Sequence, residues 1–179
     1  KKYKKTFIKD SKALPYTKKT KEDEIFLIKR TLPNDVLLKM KEAGKECGGT
    51  LNDVFVSAYL RACYRLMECD RNDSVTISCA MDLRRYIKDV DSIGYTNHTN
   101  FMPCTVSKMG ESIRDTIKEL SENTKALKAD EFNGLHGLPL LNIGYNTMIY
   151  LQAEIVVKMV YYNANLQVTN MGVIGGERY

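Results

Sequence analysis

This chain predicts an α/β fold in two layers, a mixed sheet covered by helices, and three observations carry that expectation. Apolar residues recur at helical spacing in several long stretches. Between them lie short runs rich in β-favouring residues, among them SVTISCAM and NFMPCTVS. The two kinds of segment alternate with long connections, the order that pairs strands distant in sequence. With 179 residues and a hydrophobic share of 44%, the chain can bury a core of its own.

Residues 1–22 are Lys-rich, contain Pro15 and lack periodicity. They read as a basic arm or linker before one α/β subdomain over 23–179. The run EIFLIKRTL, Glu24 to Leu32, is dense in apolar residues and reads as a strand. Pro33 then opens a helix on which Val36, Leu37, Met40 and Ala43 share a face, and Gly48-Gly49 stops it. The next helix is TLNDVFVSAYLRACYRL, Thr50 to Leu66. Thr50 as N-cap and Asp53 three residues on spell a capping box. Leu51, Val54, Phe55, Ala58, Ala62 and Leu66 lie near one face, and the wide apolar circumference points to a central helix.

A strand is expected from about Ser74 to Met81, with a polar exit at Asp82-Leu83-Arg84-Arg85 and a loop over 89–99. In the following strand, NFMPCTVS, Pro103 marks an edge or a bulge, because proline cannot donate to a ladder. GESIRDTIKELSENTKALKAD is an amphipathic helix with Ile113, Ile117, Leu120 and Leu127 on one face. Gly134, Gly137 and Pro139 mark a break before one helix, or a broken pair, over roughly 138–162. NLQVTNMGVIG closes as a strand with a glycine turn.

The formal charge of +5 is unevenly spread. Residues 1–30 hold eleven Lys or Arg against four Asp or Glu, and the rest of the chain holds sixteen against eighteen. The positive charge is therefore one arm and not a basic face, which argues against nucleic acid as partner. The most apolar late stretch, Ile143 to Tyr162, is interrupted by Asn146, Gln152, Glu154 and Lys158, whereas a span needs roughly 20 mostly apolar residues. No membrane partner is expected. The five cysteines form no C-x-x-C pair, so reduced thiols in a cytoplasmic protein are expected and no metal site. The first residue is Lys, and the expectation is a piece of a longer protein.

Few residues suit chemistry. His98 lies in the polar loop YTNHTNF and His136 in GLHGLPL, neither beside a carboxylate. His98 is the better candidate, since Thr96, Asn97, Thr99 and Asn100 can orient it. Three polar islands stand in apolar context: Asn52-Asp53, Asp82 to Arg85, and Thr169-Asn170 before Met171-Gly172. Local roles explain each: Asp53 caps, Asp82 and Arg84 pair on the surface, and Asn170 makes the turn at Gly172.

The islands and their order also resemble a known pattern. TLNDVFVSAYLRA resembles the T-x-N-D-V-x-x-A-A helix of the acyltransferase superfamily built on the chloramphenicol acetyltransferase fold. Its members include condensation domains of nonribosomal peptide synthetases, alcohol acetyltransferases and wax ester synthases. VTISCAMDLRRYI is similar to their strand ending in an Arg, NHTNFMPCTV to the following Asn-containing strand, and VTNMG to their late S-N-x-G strand. The likeness covers roughly residues 24–175. The family's H-H-x-x-x-D-G motif, whose second His is the general base, does not occur here.

The resemblance implies the C-terminal subdomain of a CoA-dependent, alcohol-acetyltransferase-like acyltransferase, inactive by itself. Asn52 and Asp53 would anchor a loop near the interface of the halves, and Arg84, beside Asp82, would pair with the Asp of the absent motif. Asn100, Thr169 and Asn170 would line the tunnel where acceptor and thioester meet. No bound cofactor is expected; the donor would be acyl-CoA or a phosphopantetheinyl carrier protein. The implied partners are an N-terminal half of the same protein, that donor, and a second copy through an exposed seam. A non-catalytic binding or assembly module of the same fold is the alternative.

Overall fold

The computed structural model describes residues 27–89, 97–131, 135, 137–162 and 167–172. The basic arm, His136 and the first residues of the expected strand at 24–32 lie outside them. In chain order the elements are α1 (Asn34–Glu46), α2 (Leu51–Leu66), β1 (Val75–Asp82), a 3-10 turn (Leu83–Tyr86), β2 (Thr99–Val106), α3 (Ile113–Ala129), α4 (Gly137–Thr147), α5 (Tyr150–Tyr162) and β3 (Gln167–Val168). The fold is α/β, with a three-stranded mixed sheet in the order β2-β1-β3. β3 runs parallel to β1, with Ser78 opposite Gln167 and Cys79 opposite Val168. β2 runs antiparallel to β1: Thr105 faces Thr76 across a 2.9 Å hydroxyl contact, and the Leu83 amide donates to the His98 carbonyl at 2.8 Å. β2 is at the edge of these strands, the place Pro103 requires.

The chain divides into two compact units. One comprises residues 1–76 and 105–123, the other 77–104 and 124–179. β1, β2 and α3 each contribute residues to both.

In the first unit two helix ends share one solution. At the end of α1, the Gly48 amide donates to Lys45 and the Gly49 amide to Gly44, at 2.9 and 2.8 Å, and Gly48 takes φ 72°. This is a Schellman motif, which satisfies carbonyls that the helix itself leaves open. At the end of α2 the same pair recurs, Glu68 to Arg65 and Cys69 to Tyr64, but the left-handed position is Glu68 at φ 50°. A residue with a Cβ is strained there.

Asp53 begins α2 as the sequence predicts. Its carboxylate accepts from the Thr50 amide and hydroxyl, both at 2.7 Å, and Thr50 Oγ1 accepts from the Asp53 amide. Three expectations are corrected. Residues 27–32 form no strand and expose Leu27, Ile28 and Leu32, because β-propensity without a pairing partner does not make a strand. The buried stripe of α2 is Asp53, Val56, Ser57, Leu60 and Cys63 beside Val54, while Ala58, Ala62 and Leu66 are exposed. Alanines carry too little surface to orient a helix. On α3 Ile113 is exposed, and the buried face adds Thr116, Ser121 and Thr124 to Ile117 and Leu120.

In the second unit Ile77, Cys79 and Met81 alternate inward along β1, and Met102 and Cys104 do so on β2. The stretch expected as one helix or a broken pair is a pair, α4 and α5, separated by Met148-Ile149. No helix of the described residues is long and apolar enough to cross a membrane.

Candidate functional site

Strand direction gathers most of the expected site residues at one end of the second unit's sheet. Asp82 and Arg84 leave the C-terminal end of β1. β2 is antiparallel, so its first residues, with His98 and Asn100, lie at that same end. β3 is parallel, so its register carries Thr169 and Asn170 there as well. Ligands of α/β sheets commonly bind beyond the carboxyl ends of strands.

Asp82, Arg84, Asn100 and Asn170 also have local ties. Asp82 Oδ1 caps the 3-10 turn by accepting from the Arg84 amide at 3.0 Å, and it pairs with the Arg84 guanidinium at 3.4 Å. Both side chains face solvent, where such a pair contributes little. His98 is half-buried, and its backbone carbonyl accepts from the Leu83 amide. Asn97 Oδ1 accepts from the Thr99 amide at 3.0 Å, and Asn100 Oδ1 from the Phe101 amide at 2.8 Å. Thr169 and Asn170 are exposed, and Asn170 Oδ1 accepts from the Gly172 amide at 2.9 Å, with Gly172 at φ 71°. The local roles read from the three islands are thus all present. Asn52 and Asp53 belong to the first unit, where Asp53 is buried by its capping bonds and Asn52 is half-buried.

A second polar location, within the first unit, was not singled out by its sequence. A cleft of about 480 Å³ is lined by Arg61, Tyr64, Arg65, Cys69, Arg71, Met109, Gly110 and Glu111. Arg61 points from α2 into the 110–116 segment. Its guanidinium donates to the carbonyls of Gly110, Ser112 and Glu111 and to Thr116 Oγ1, at 2.8 to 3.2 Å. Gly110 lies close against the start of α3, where a Cβ would meet the Asp115 Cβ at 2.5 Å. Arg71 pairs with Glu111 at 2.7 Å, and its carbonyl accepts from the Met109 amide. The only signal in the sequence was Arg61 and Arg65, four apart in a helix otherwise rich in apolar residues.

Among the described residues no group of three or more His, Cys, Asp or Glu is arranged to hold a metal ion, and the five cysteines are free thiols. Compared with known proteins, the chain matches no family model, no curated protein and no solved structure.

Proposed function

We propose that this chain is the C-terminal portion of an acyltransferase that moves an acyl group from CoA or a carrier-protein thioester to an alcohol or amine. One observation carries the reading: Arg84, Asn100, Thr169 and Asn170, which the sequence resemblance singles out, share one end of the sheet formed by β1, β2 and β3. In this proposal Arg84 exchanges its weak surface pairing with Asp82 for the Asp of an H-H-x-x-x-D-G segment. Asn100 and Asn170 offer amide groups to the thioester and the acceptor, where polar donors steady a developing oxyanion. The general base comes from the other half, so the chain alone has no turnover.

The test has two arms. The gene upstream of Lys1 should encode H-H-x-x-x-D-G within roughly two hundred codons, about the length of one domain. The isolated chain should release no thiol from acetyl-CoA. Thiol release that disappears in His98→Ala would overturn the proposal and make His98 the base.

The alternative, a non-catalytic binding or assembly module, is favoured by α4, α5 and the link between them. Ile143, Tyr145, Ile149, Tyr150, Leu151, Ile155 and Val156 are all exposed there, Tyr145 by 90% and Tyr150 by 83%. An apolar set of this extent marks an interaction surface. Both readings expect self-association of the chain alone. A monomer throughout a concentration series in sedimentation velocity would count against that surface.

A further inference from the structure

Among the described strands β2 is an outer one, and its sequence makes that place hazardous. Thr99–Val106 reads TNFMPCTV, with no charged residue, and Phe101 is 41% exposed. An uncharged, β-favouring edge strand is a template on which another chain can pair. The charged side chains that often blunt such an edge are absent from this strand.

The ladder with β1 fixes which backbone groups point outward. The Leu83 amide donates to the His98 carbonyl directly across the pair. In an antiparallel ladder such positions alternate, so His98, Asn100 and Met102 turn their backbone groups toward β1. Thr99, Phe101 and Pro103 turn theirs to the outer edge. Each of these three outward positions lacks an open donor. The Thr99 amide donates to Asn97 Oδ1 at 3.0 Å, and the Phe101 amide to Asn100 Oδ1 at 2.8 Å. Pro103 has no amide hydrogen. Within the first unit α3 treats the end of the strand in a similar way. Asn123 Nδ2 donates to the Thr105 carbonyl at 3.2 Å, and the Ser107 amide donates to Glu119 Oε1 at 2.9 Å.

We propose that Asn97, Asn100 and Pro103 form a guard that closes the outer edge of β2 to strand addition by a second copy of this chain. A pairing strand needs donors at alternate positions, and the guard removes them one after another. This inference does not rest on the acyl-transfer reading, because it uses only Asn100 Oδ1 and the backbone. It also separates two routes of association. The exposed apolar set on α4 and α5 can join copies without touching the ladder, whereas an open β2 edge extends the sheet.

Amide exchange followed by NMR on the 179-residue chain is the first reading. Asn97→Ala should speed exchange at Thr99 about fivefold, and Asn100→Ala should do the same at Phe101. Thioflavin T fluorescence is the second reading. The triple variant Asn97→Ala, Asn100→Ala, Pro103→Val should turn positive with a lag about fivefold shorter than that of Leu60→Ala. Urea is adjusted so that both chains are folded to the same fraction. Leu60→Ala weakens the core and keeps the guard, so it sets the rate that unfolding alone gives. Association through α4 and α5 adds no strand and gives no thioflavin signal. If the triple variant does not fold, the double variant that keeps Pro103 carries the same comparison. Unchanged exchange at Thr99 and Phe101 overturns the proposal. Faster exchange without a shorter lag overturns it too, and reduces the asparagines to local turn caps.

Discussion

Helices α2 and α5 are both rich in apolar residues, and the structure treats them in opposite ways. α2 turns Val56, Leu60 and Cys63 inward on one stripe and leaves Tyr59 and Leu66 outside. α5 leaves Tyr150, Leu151, Ile155 and Val156 in solvent. The difference lies in what each has for company. α2 starts from a closed capping box, ends in a Schellman turn, and packs against α1. Its buried stripe includes polar Asp53 and Ser57, so its orientation is set by neighbours and not by hydrophobicity alone. Apolar content says that a helix seeks a partner; only packing says whether this chain provides one.

The largest effect that separates the two helices is truncation of a leucine. Leu60, with 0% exposure, should cost about 2–5 kcal/mol on Leu60→Ala, through lost burial and the cavity left behind. Leu151 is 61% exposed, and Leu151→Ala should change stability by no more than about 0.5 kcal/mol. Urea unfolding at low protein concentration measures both. A Leu151→Ala penalty that grows with concentration would show that α5 is covered by a second copy. A large penalty independent of concentration would break the contrast.

The capping box comes next. Asp53→Ala removes both bonds to Thr50 and leaves its amide without that acceptor. The expected cost is about 1–2 kcal/mol. Asp53→Asn keeps an acceptor of the same shape and should recover more than half of it. Equal losses in the two variants would mean that the carboxylate charge, and not the cap, is what α2 needs.

The two Schellman turns give a smaller, opposite-signed test. Gly48 fills the left-handed position at the end of α1, and Glu68 fills it at the end of α2. Glu68→Gly should therefore stabilise the chain by up to about 1 kcal/mol, and Gly48→Ala should destabilise it by a similar amount. A Glu68→Gly variant less stable than the parent would show that the Glu68 side chain makes contacts worth more than its backbone strain.

These cases mark what was legible in the sequence. The capping box, the glycine stop of α1 and the Asn170–Gly172 turn were readable because each is settled within a few residues. The inward face of α2 was not, because Ser57 is buried by packing that no local pattern encodes. The strand expected over Glu24–Leu32 fails in its described part, 27–32, for the same reason in reverse: these residues favour a strand but find no ladder. Of the candidate site, the residue types were legible and their gathering was not. Arg84, Asn100 and Asn170 come together through the directions of β2 and β3. The arginine cleft depends on a fold that sets the 110–112 carbonyls against Arg61, about fifty residues earlier in the chain.

The smallest effect concerns pH. Asp115, in the first turn of α3, accepts from the Ser112 amide and hydroxyl at 2.9 and 2.8 Å. The backbone bond, then the side-chain bond, hold its carboxyl below the usual value of 3.8, with smaller help from Arg61 and Lys118. The unfolded chain takes up this proton first on acidification. Stability from the ionised carboxylate is therefore present above its unfolded value and lost as pH falls through the lower folded value. Asp53 offers the buried counterpart, the same box geometry at the start of α2 but without solvent beside it. Melting Asp115→Asn beside the parent chain from about pH 6 to about pH 2 isolates the exposed case. The parent should melt higher near neutrality, and the gap should close at the acid end, where its carboxyl is protonated. A gap that stays constant with pH would mean that Ser112 is held by shape alone. The charge of Asp115 would then contribute nothing to the start of α3.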